Sequence, residues 1–149
     1  MISGSKALAK DFGADCIVNV KENDLHKVCA DFTDDNGFDV CVEACGAPET
    51  LLSCIDEAAH GANIILIGNG KRETTFVHSI ILKKELNIFG SRNAFTKDFE
   101  TLIDLVKSGK ADILKIVSGV YQKENAKEAF EALSHNDGKL AKILIEFGE

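Results

Sequence analysis

No apolar run in this chain approaches the roughly 18 residues that cross a bilayer, which argues against a membrane-spanning helix. The start carries neither the basic region nor the apolar core of a secretory leader. Basic residues are too few and too dispersed for a nucleic-acid face: 17 Lys and Arg stand against 24 Asp and Glu, for a net charge of -7. Five cysteines occur (16, 29, 41, 45 and 54), an odd number with no C-x2-C pair. That pattern fits small buried hydrophobes in a reducing cytoplasm better than disulfides or a zinc site. The four histidines (26, 60, 78 and 135) lie far apart and follow no ligand spacing. The single proline, Pro48, stands where a helix would begin, a position at which a missing N–H costs nothing.

What is present is ordinary globular material, 45% hydrophobic and 28% charged, long enough for one domain. Its centre is Phe38–Gly46, FDVCVEACG, with an echo at Gly61–Gly70, GANIILIGNG. Each is a short apolar run ending in glycine, which predicts strands buried on both faces of a parallel sheet. The helical pattern Ala47–Ala59 lies between them, with Gly61 expected as its left-handed C-cap. Ligands of such sheets bind at the carboxyl ends of the strands. Glu43–Gly46 and Ile67–Asn69 are therefore the first candidates for a site. Glu43 itself is one carboxylate without a partner, weak ground for acid–base chemistry.

The remaining pattern alternates helix and strand. Ser3–Phe12 reads as a helix closed by Gly13, and Cys16–Val20 as a short strand. Asp24–Thr33 places Leu25, Val28, Cys29 and Phe32 on one helical face, stopped by Asn36-Gly37. Gly70–Glu73 is a polar loop and Thr74–Val77 an edge strand. His78–Lys83 predicts one or two helical turns, and Leu86–Phe89 a strand closed by Gly90-Ser91. Thr96–Lys107 carries the strongest helical stripe, with Phe95, Phe99, Leu102, Ile103 and Val106 on one face. Lys115–Val120 predicts a strand and Glu124–Ser134 a helix on which Ala126, Ala129, Phe130 and Leu133 align. A turn at Asn136–Gly138 leads to a last strand, Ala141–Phe147. Alternation of this kind predicts an α/β fold, a parallel sheet with helices on both faces.

Six stretches run in the order and spacing of one family: SGSKALAKDFGAD, FDVCVEACGAPETL, GANIILIG, KKELNIFGSRNAF, LIDLVKSGK and AFEAL…GKLAKILIEF. The chain resembles the zinc-dependent medium-chain dehydrogenases, which act on alcohols, sorbitol, threonine and related polyols or sugar acids. The resemblance covers essentially all 149 residues. It implies a Rossmann-like sheet that is incomplete, since the first strand, its Gly-rich turn and most of the second strand have no counterpart. Residues 1–149 would be a partial NAD(P)-binding domain with its returning C-terminal helix and strand. The zinc-bearing catalytic domain would be absent, and the chain would be a truncated product or an excised piece. In the doubly wound strand order, Cys16–Val20 would be strand 3 and Phe38–Ala44 strand 4, with two strands between them. The gap is then on the order of 14 Å. Cys16–Val20 should either stand apart from the sheet or move in beside Phe38–Ala44.

By the same resemblance Lys6 lies beside the adenine ribose and Lys142 reaches the pyrophosphate. Cys45 and Gly46 pack against the ribose and nicotinamide, Ile67, Gly68 and Asn69 line the nicotinamide, and Ser91 and Asn93 hold its carboxamide. Met1 occupies the place of the acidic residue that reads the ribose 2′-OH. Ser3–Lys6 offers no arginine for a 2′-phosphate, so NAD is favoured and NADP left open. Glycines 46, 68 and 90 would let a cofactor approach the backbone. Taken without the resemblance, Cys45 and Ile67 read as buried sheet residues and Arg92 as a solvated loop cation. Zinc would belong to the full-length relatives, because no catalytic residue or metal ligand is identified in these residues. The implied role is the cofactor-binding portion of an enzyme that oxidises a small alcohol, polyol or sugar acid by hydride transfer. The alternatives are a catalytically inactive remnant and an oligomerising nucleotide-binding module. Thr74–Val77 and Leu86–Phe89 resemble the edge by which dimers of the family extend one sheet across two subunits, which implies a homo-oligomer through edge strand Thr74–Val77.

Overall fold

The computed structural model describes residues 3–136 and 140–148, with side chains from residue 7 onward. In chain order the elements are α1 (Ser3–Asp11), α2 (Leu25–Thr33), β1 (Phe38–Glu43), α3 (Pro48–Glu57), β2 (Ala58–Leu66), α4 (Ser79–Lys84) and β3 (Asn87–Gly90). They continue with α5 (Thr96–Lys107), β4 (Val117–Gln122), α6 (Ala126–Ser134) and β5 (Lys142–Glu146), and 3-10 turns occupy Ile113–Ile116 and Lys123–Asn125. The chain divides into two compact units, one formed by Val18–Asn93 and the other by Met1–Ile17 with Ala94–Glu149.

In the Val18–Asn93 unit, β1, β2 and β3 form a parallel sheet in that order. The parallel α/β fold is thus the one the alternation implies. Helix α2 starts where Asp24 caps it, its side chain accepting from Lys27 N. It stops at Thr33 because Asp34 takes the left-handed conformation, φ 50°, two residues before the expected Asn36-Gly37. Pro48 opens α3 as expected. That helix is shorter than Ala47–Ala59, ending at Glu57 with Ala58 already extended. Gly61 is accordingly not a helix cap. Its φ of 76° falls inside β2, where the chain runs from Ala58 to Asn63 while β1 advances only from Phe38 to Val40. The glycine absorbs this bulge.

Ile55 of α3 and Ile64 of β2 are the fully buried centre, joined by Cys41, Ala58, Ala62 and Leu86. Leu51 of α3 and Ile80 and Ile81 of α4 pack onto the same cluster, so both helices cover one face of the sheet. Burying each isoleucine stabilises the unit by about 1.5–3 kcal/mol. The opposite face of β1 differs from expectation. Val40 and Val42 point there and are more than half exposed.

Two expected strands do not form. Thr74–Val77 pairs with nothing among the described residues and belongs to the connection between β2 and α4. Side-chain alternation alone gives no ladder, and β2 spends its second edge on β3. Cys16–Val20 is irregular as well, so it stands outside both sheets. Asn19 turns the chain there: its carbonyl accepts from Glu22 N and Asn23 N, and its side chain accepts from Lys21 N.

In the other unit, β4 and β5 pair in parallel and α6 crosses between them. Ala129 is the residue of α6 that disappears from solvent, while Phe130 stays exposed. Asn136 donates from Nδ2 to Leu140 O and accepts Leu140 N at Oδ1, bracketing the expected turn, the rest of which lies outside the described residues. Helix α5 matches its expected bounds. Asp98 closes its start by accepting from Phe95 N at 2.7 Å.

Candidate functional site at the carboxyl ends of the strands

β1 ends in Glu43, and the chain turns at once into α3. The turn is built on the Glu43 carboxylate, which is buried. Oε1 accepts from Cys45 N and Gly46 N, both at 2.9 Å, and from Thr50 Oγ1 at 2.6 Å. The Thr50 hydroxyl holds the carboxyl below its ordinary value, burial opposes it, and the N–H groups of Cys45, Gly46 and Ala47 assist. An ionised, fully partnered acceptor is a structural anchor rather than an acid or base. The signal for it was in the sequence: an acidic residue at a strand end, with N–H groups of the next turn and a threonine one helical turn beyond.

The loop after β2 comes back against this turn. Glu43 O accepts from both Ile67 N and Gly68 N at 2.9 Å, and Leu66 O accepts from Ser91 N at 2.9 Å. A Cβ on Gly68 would fall on Gly46 N and on Glu43 Oε2, and one on Gly70 would fall on Gly46 O. Gly46 also needs its φ of 70°. These glycines are therefore committed to a backbone-to-backbone approach of two loops. The expectation that Gly46 and Gly68 leave room for a ligand is corrected here, since the partner of each is protein. Gly90 is different, for a Cβ there would meet nothing within 4 Å.

Two depressions flank the interlocked loops. A small one of about 140 Å³ lies between α3 and the 68–74 segment, where Arg72 grips Glu49 through two nitrogens at 3.2 and 2.8 Å. A larger groove of about 450 Å³ runs between the ends of β2 and β3, lined by Leu66, Ile67, Gly68, Asn69, Gly90, Ser91 and Arg92. Its volume is that of a small-molecule site.

Of the candidate cofactor residues, Ile67, Gly68, Asn69 and Ser91 come together in that groove. Gly46 lies in the smaller depression, while Cys45 and Asn93 are exposed and line neither. Cys45 and Ile67 are not buried sheet residues as the sequence suggested. Both lie beyond the last ladder pair, where the strands have ended. Lys142 stands exposed on β5 in the other unit, and Lys6 belongs to α1 there, its side chain outside the described residues, as is Met1. Arg92, which the sequence reading left in solvent, lines the groove.

At the amino ends of the strands a third depression of about 200 Å³ includes His26, Glu57, His60 and Lys84. His26 Nδ1 lies 3.1 Å from Glu57 Oε1, and Lys84 is engaged with backbone carbonyls. No three His, Cys, Asp or Glu side chains among the described residues come together as a metal site, so these residues do not fit zinc. No described helix is long and apolar enough to cross a membrane.

Parallel strands alternating with helices make this a Rossmann-like α/β fold. An alcohol dehydrogenase from Escherichia coli, solved with NADH, shares the fold at a TM-score of 0.89 and 24% identity. That match covers 98% of this chain and 42% of the enzyme. Residues 2–108 match the zinc-binding dehydrogenase family, and the chain belongs to it. It is 33% identical over 142 residues to L-threonine 3-dehydrogenase of Pyrococcus furiosus. It is 34% identical over 144 residues to D-xylulose reductase of Saccharomyces cerevisiae. Each alignment takes 93% of this chain and 40% of the relative, so the chain spans well under half the length of either.

Proposed function

We propose that this chain is the cofactor-binding portion of an NAD(P)-dependent, zinc-type dehydrogenase acting on a small alcohol, polyol or sugar acid. The observation that carries the reading is the groove at the ends of β2 and β3. There an exposed apolar side chain, Ile67, faces solvent beside the amide of Asn69 and the hydroxyl of Ser91. An apolar wall with a few hydrogen-bonding groups suits a nicotinamide ring and its carboxamide. The open space beyond Gly90 permits a flat ring to approach the backbone. The bound NADH of the Escherichia coli neighbour supports the choice of ligand. When bound, the nicotinamide supplies the hydride chemistry. The residues of this chain orient one face of it, while the metal and the proton chemistry at the reacting carbon belong to other parts of the enzyme.

In this reading residues 1–149 form a partial nucleotide-binding domain that works within a longer enzyme, and zinc is held elsewhere in it. By the family resemblance, Cys45, Gly46 and Asn93 border the ribose and carboxamide. Five cysteines, an odd number with no C-x2-C pair, suit a reducing, cytoplasmic setting. Pairing of two copies would involve segment 74–77, which pairs with no strand among the described residues.

The test is a titration of the 15N-labelled chain with NADH. Shifts at Ile67, Gly68, Asn69, Gly90 and Ser91 are expected, with a dissociation constant of about millimolar, because the described residues show no Gly-rich diphosphate cradle. Shifts confined to other residues, or none at all, overturn the assignment.

A further inference from the structure

The chain has two arginines, Arg72 and Arg92. Their surroundings differ. Arg72 is spent on Glu49, fork to fork. Arg92 makes no hydrogen bond and no ion pair among the described residues, and no acidic side chain lines the groove it borders. In a protein of net charge -7, a cation left without a carboxylate beside an open small-molecule groove is an unused anion receptor. The remaining lining is neutral: Leu66 and Ile67 give an apolar wall, while Asn69 and Ser91 offer uncharged hydrogen-bonding groups.

We propose that Arg92 selects a substrate carrying a carboxylate, so that the enzyme handles a hydroxy acid of the sugar-acid class in preference to a neutral polyol. This rests on the reading of the groove as the nicotinamide wall, because a substrate must lie against the nicotinamide for hydride to pass. A long side chain beside that wall can reach past the edge of the ring to the substrate, and Arg92 is the long cationic side chain that lines the groove. The guanidinium fork matches a carboxylate through two parallel N–H···O bonds, a geometry that a lysine ammonium cannot reproduce. A charge-assisted pair of this kind separates ligands with and without the charge by about tenfold or more. Asn69 and Ser91 are engaged with the carboxamide and do not discriminate between substrates. The carboxylate alone distinguishes them, and Arg92 reads it.

The experiment is a pair of 15N titrations of the chain, one with D-gluconate and one with D-glucitol, which share a hydroxylated six-carbon frame and differ in the carboxylate. Gluconate is expected to shift the backbone amide and the side-chain Nε–H of Arg92 saturably and at least about tenfold more tightly than glucitol. Arg92→Ala should bring gluconate down to the level of glucitol, and Arg92→Lys should recover part of the difference. Equal binding of the two ligands, binding by neither, or gluconate binding that survives Arg92→Ala overturns the proposal. The NADH titration is read separately. NADH shifts at Ile67 and Gly68 without a gluconate preference overturn the substrate inference alone. Absence of NADH shifts overturns the cofactor reading on which it rests.

Discussion

Thr50 Oγ1 donates to Glu43 Oε1 across 2.6 Å, so the first turn of α3 is fastened to the last residue of β1 by a hydroxyl held against a buried carboxylate. The same oxygen takes Cys45 N and Gly46 N, and the strand end, the turn and the helix start become one unit. Because the Thr50 bond above all depresses the Glu43 carboxyl, the folded state binds its proton less readily than the unfolded chain. The stability this supplies is complete above the unfolded value near 4.5 and is lost as pH falls through the lower folded value. Urea midpoints taken between pH 6 and pH 3 should fall more steeply for the wild type than for Glu43→Gln. Thr50→Val should give an intermediate slope. Parallel pH profiles for all three proteins would show that the carboxylate is not the anchor described here.

The interlocking of Gly46 with Gly68 and Gly70 makes a second prediction. Gly68→Ala places a methyl on Gly46 N, which is backbone and cannot swing aside, so the two loops must part. The expected loss is about 1–3 kcal/mol. Gly90→Ala is the control, since its Cβ enters open space; stability should stay within about 0.5 kcal/mol while NADH shifts weaken as the groove narrows. Chemical denaturation of both variants decides it, and equal losses at the two positions would contradict the assigned roles.

These cases show what the sequence could carry. Hydrophobic runs placed β1 and β2, Pro48 the start of α3, and the apolar stripe with its glycine stop α5, because burial and backbone permissiveness leave their mark on neighbouring residues. Thr74–Val77 and Cys16–Val20 have the composition of strands without being strands. Strand formation depends on a partner edge, and local pattern does not encode one. Gly46 and Gly68 were visible as necessary glycines, yet the sequence cannot say whether the approaching body is a cofactor or another loop. Arg92 reads as a solvated cation until the absence of acidic side chains along the groove is seen. Resemblance supplied the family and the positions of Ile67, Gly68, Asn69 and Ser91; folding brought those four together.

Lys84 ties α4 to the end of α3 through Nζ, which donates to Ile55 O at 3.1 Å, Asp56 O at 2.7 Å and Ala58 O at 2.9 Å. Those carbonyls include the orphaned acceptors of the last helical turn, where a cation also opposes the negative end of the helix dipole. Lys84→Met keeps most of the aliphatic stem and removes all three bonds, at a cost of about 1.5–3 kcal/mol. Lys83→Met, one residue earlier on the exposed side, should change stability by less than about 0.5 kcal/mol. Thermal unfolding of the pair measures the difference.

Thiol reactivity should separate the cysteines. Burial pushes the Cys54 thiol up to about 11, with Cys41, Glu43 and Cys45 adding to the shift, and burial likewise raises Cys41. Cys45 and Cys16 are exposed. Since the thiolate is the nucleophile, iodoacetamide at pH 8 should label Cys45 and Cys16 first and Cys54 and Cys41 slower by at least about tenfold. Peptide mapping over time reads the order, and early labelling of Cys54 would mean that α3 opens away from β1.

The last prediction concerns turnover. Hydride transfer in a zinc-type dehydrogenase needs a cation that polarises the substrate oxygen and a cofactor held by its diphosphate. Among the described residues no set of three His, Cys, Asp or Glu converges to hold zinc, and Glu43 is already saturated with donors. The groove offers a wall for the nicotinamide and a guanidinium beside it, which orient ligands without activating them. The 149-residue chain, supplied with zinc, NAD and an alcohol, polyol or sugar acid, should therefore produce NADH no faster than a protein-free blank. The readout is absorbance at the NADH band with and without a chelator. Zinc-dependent turnover that the chelator abolishes would reveal a metal site in residues assigned none.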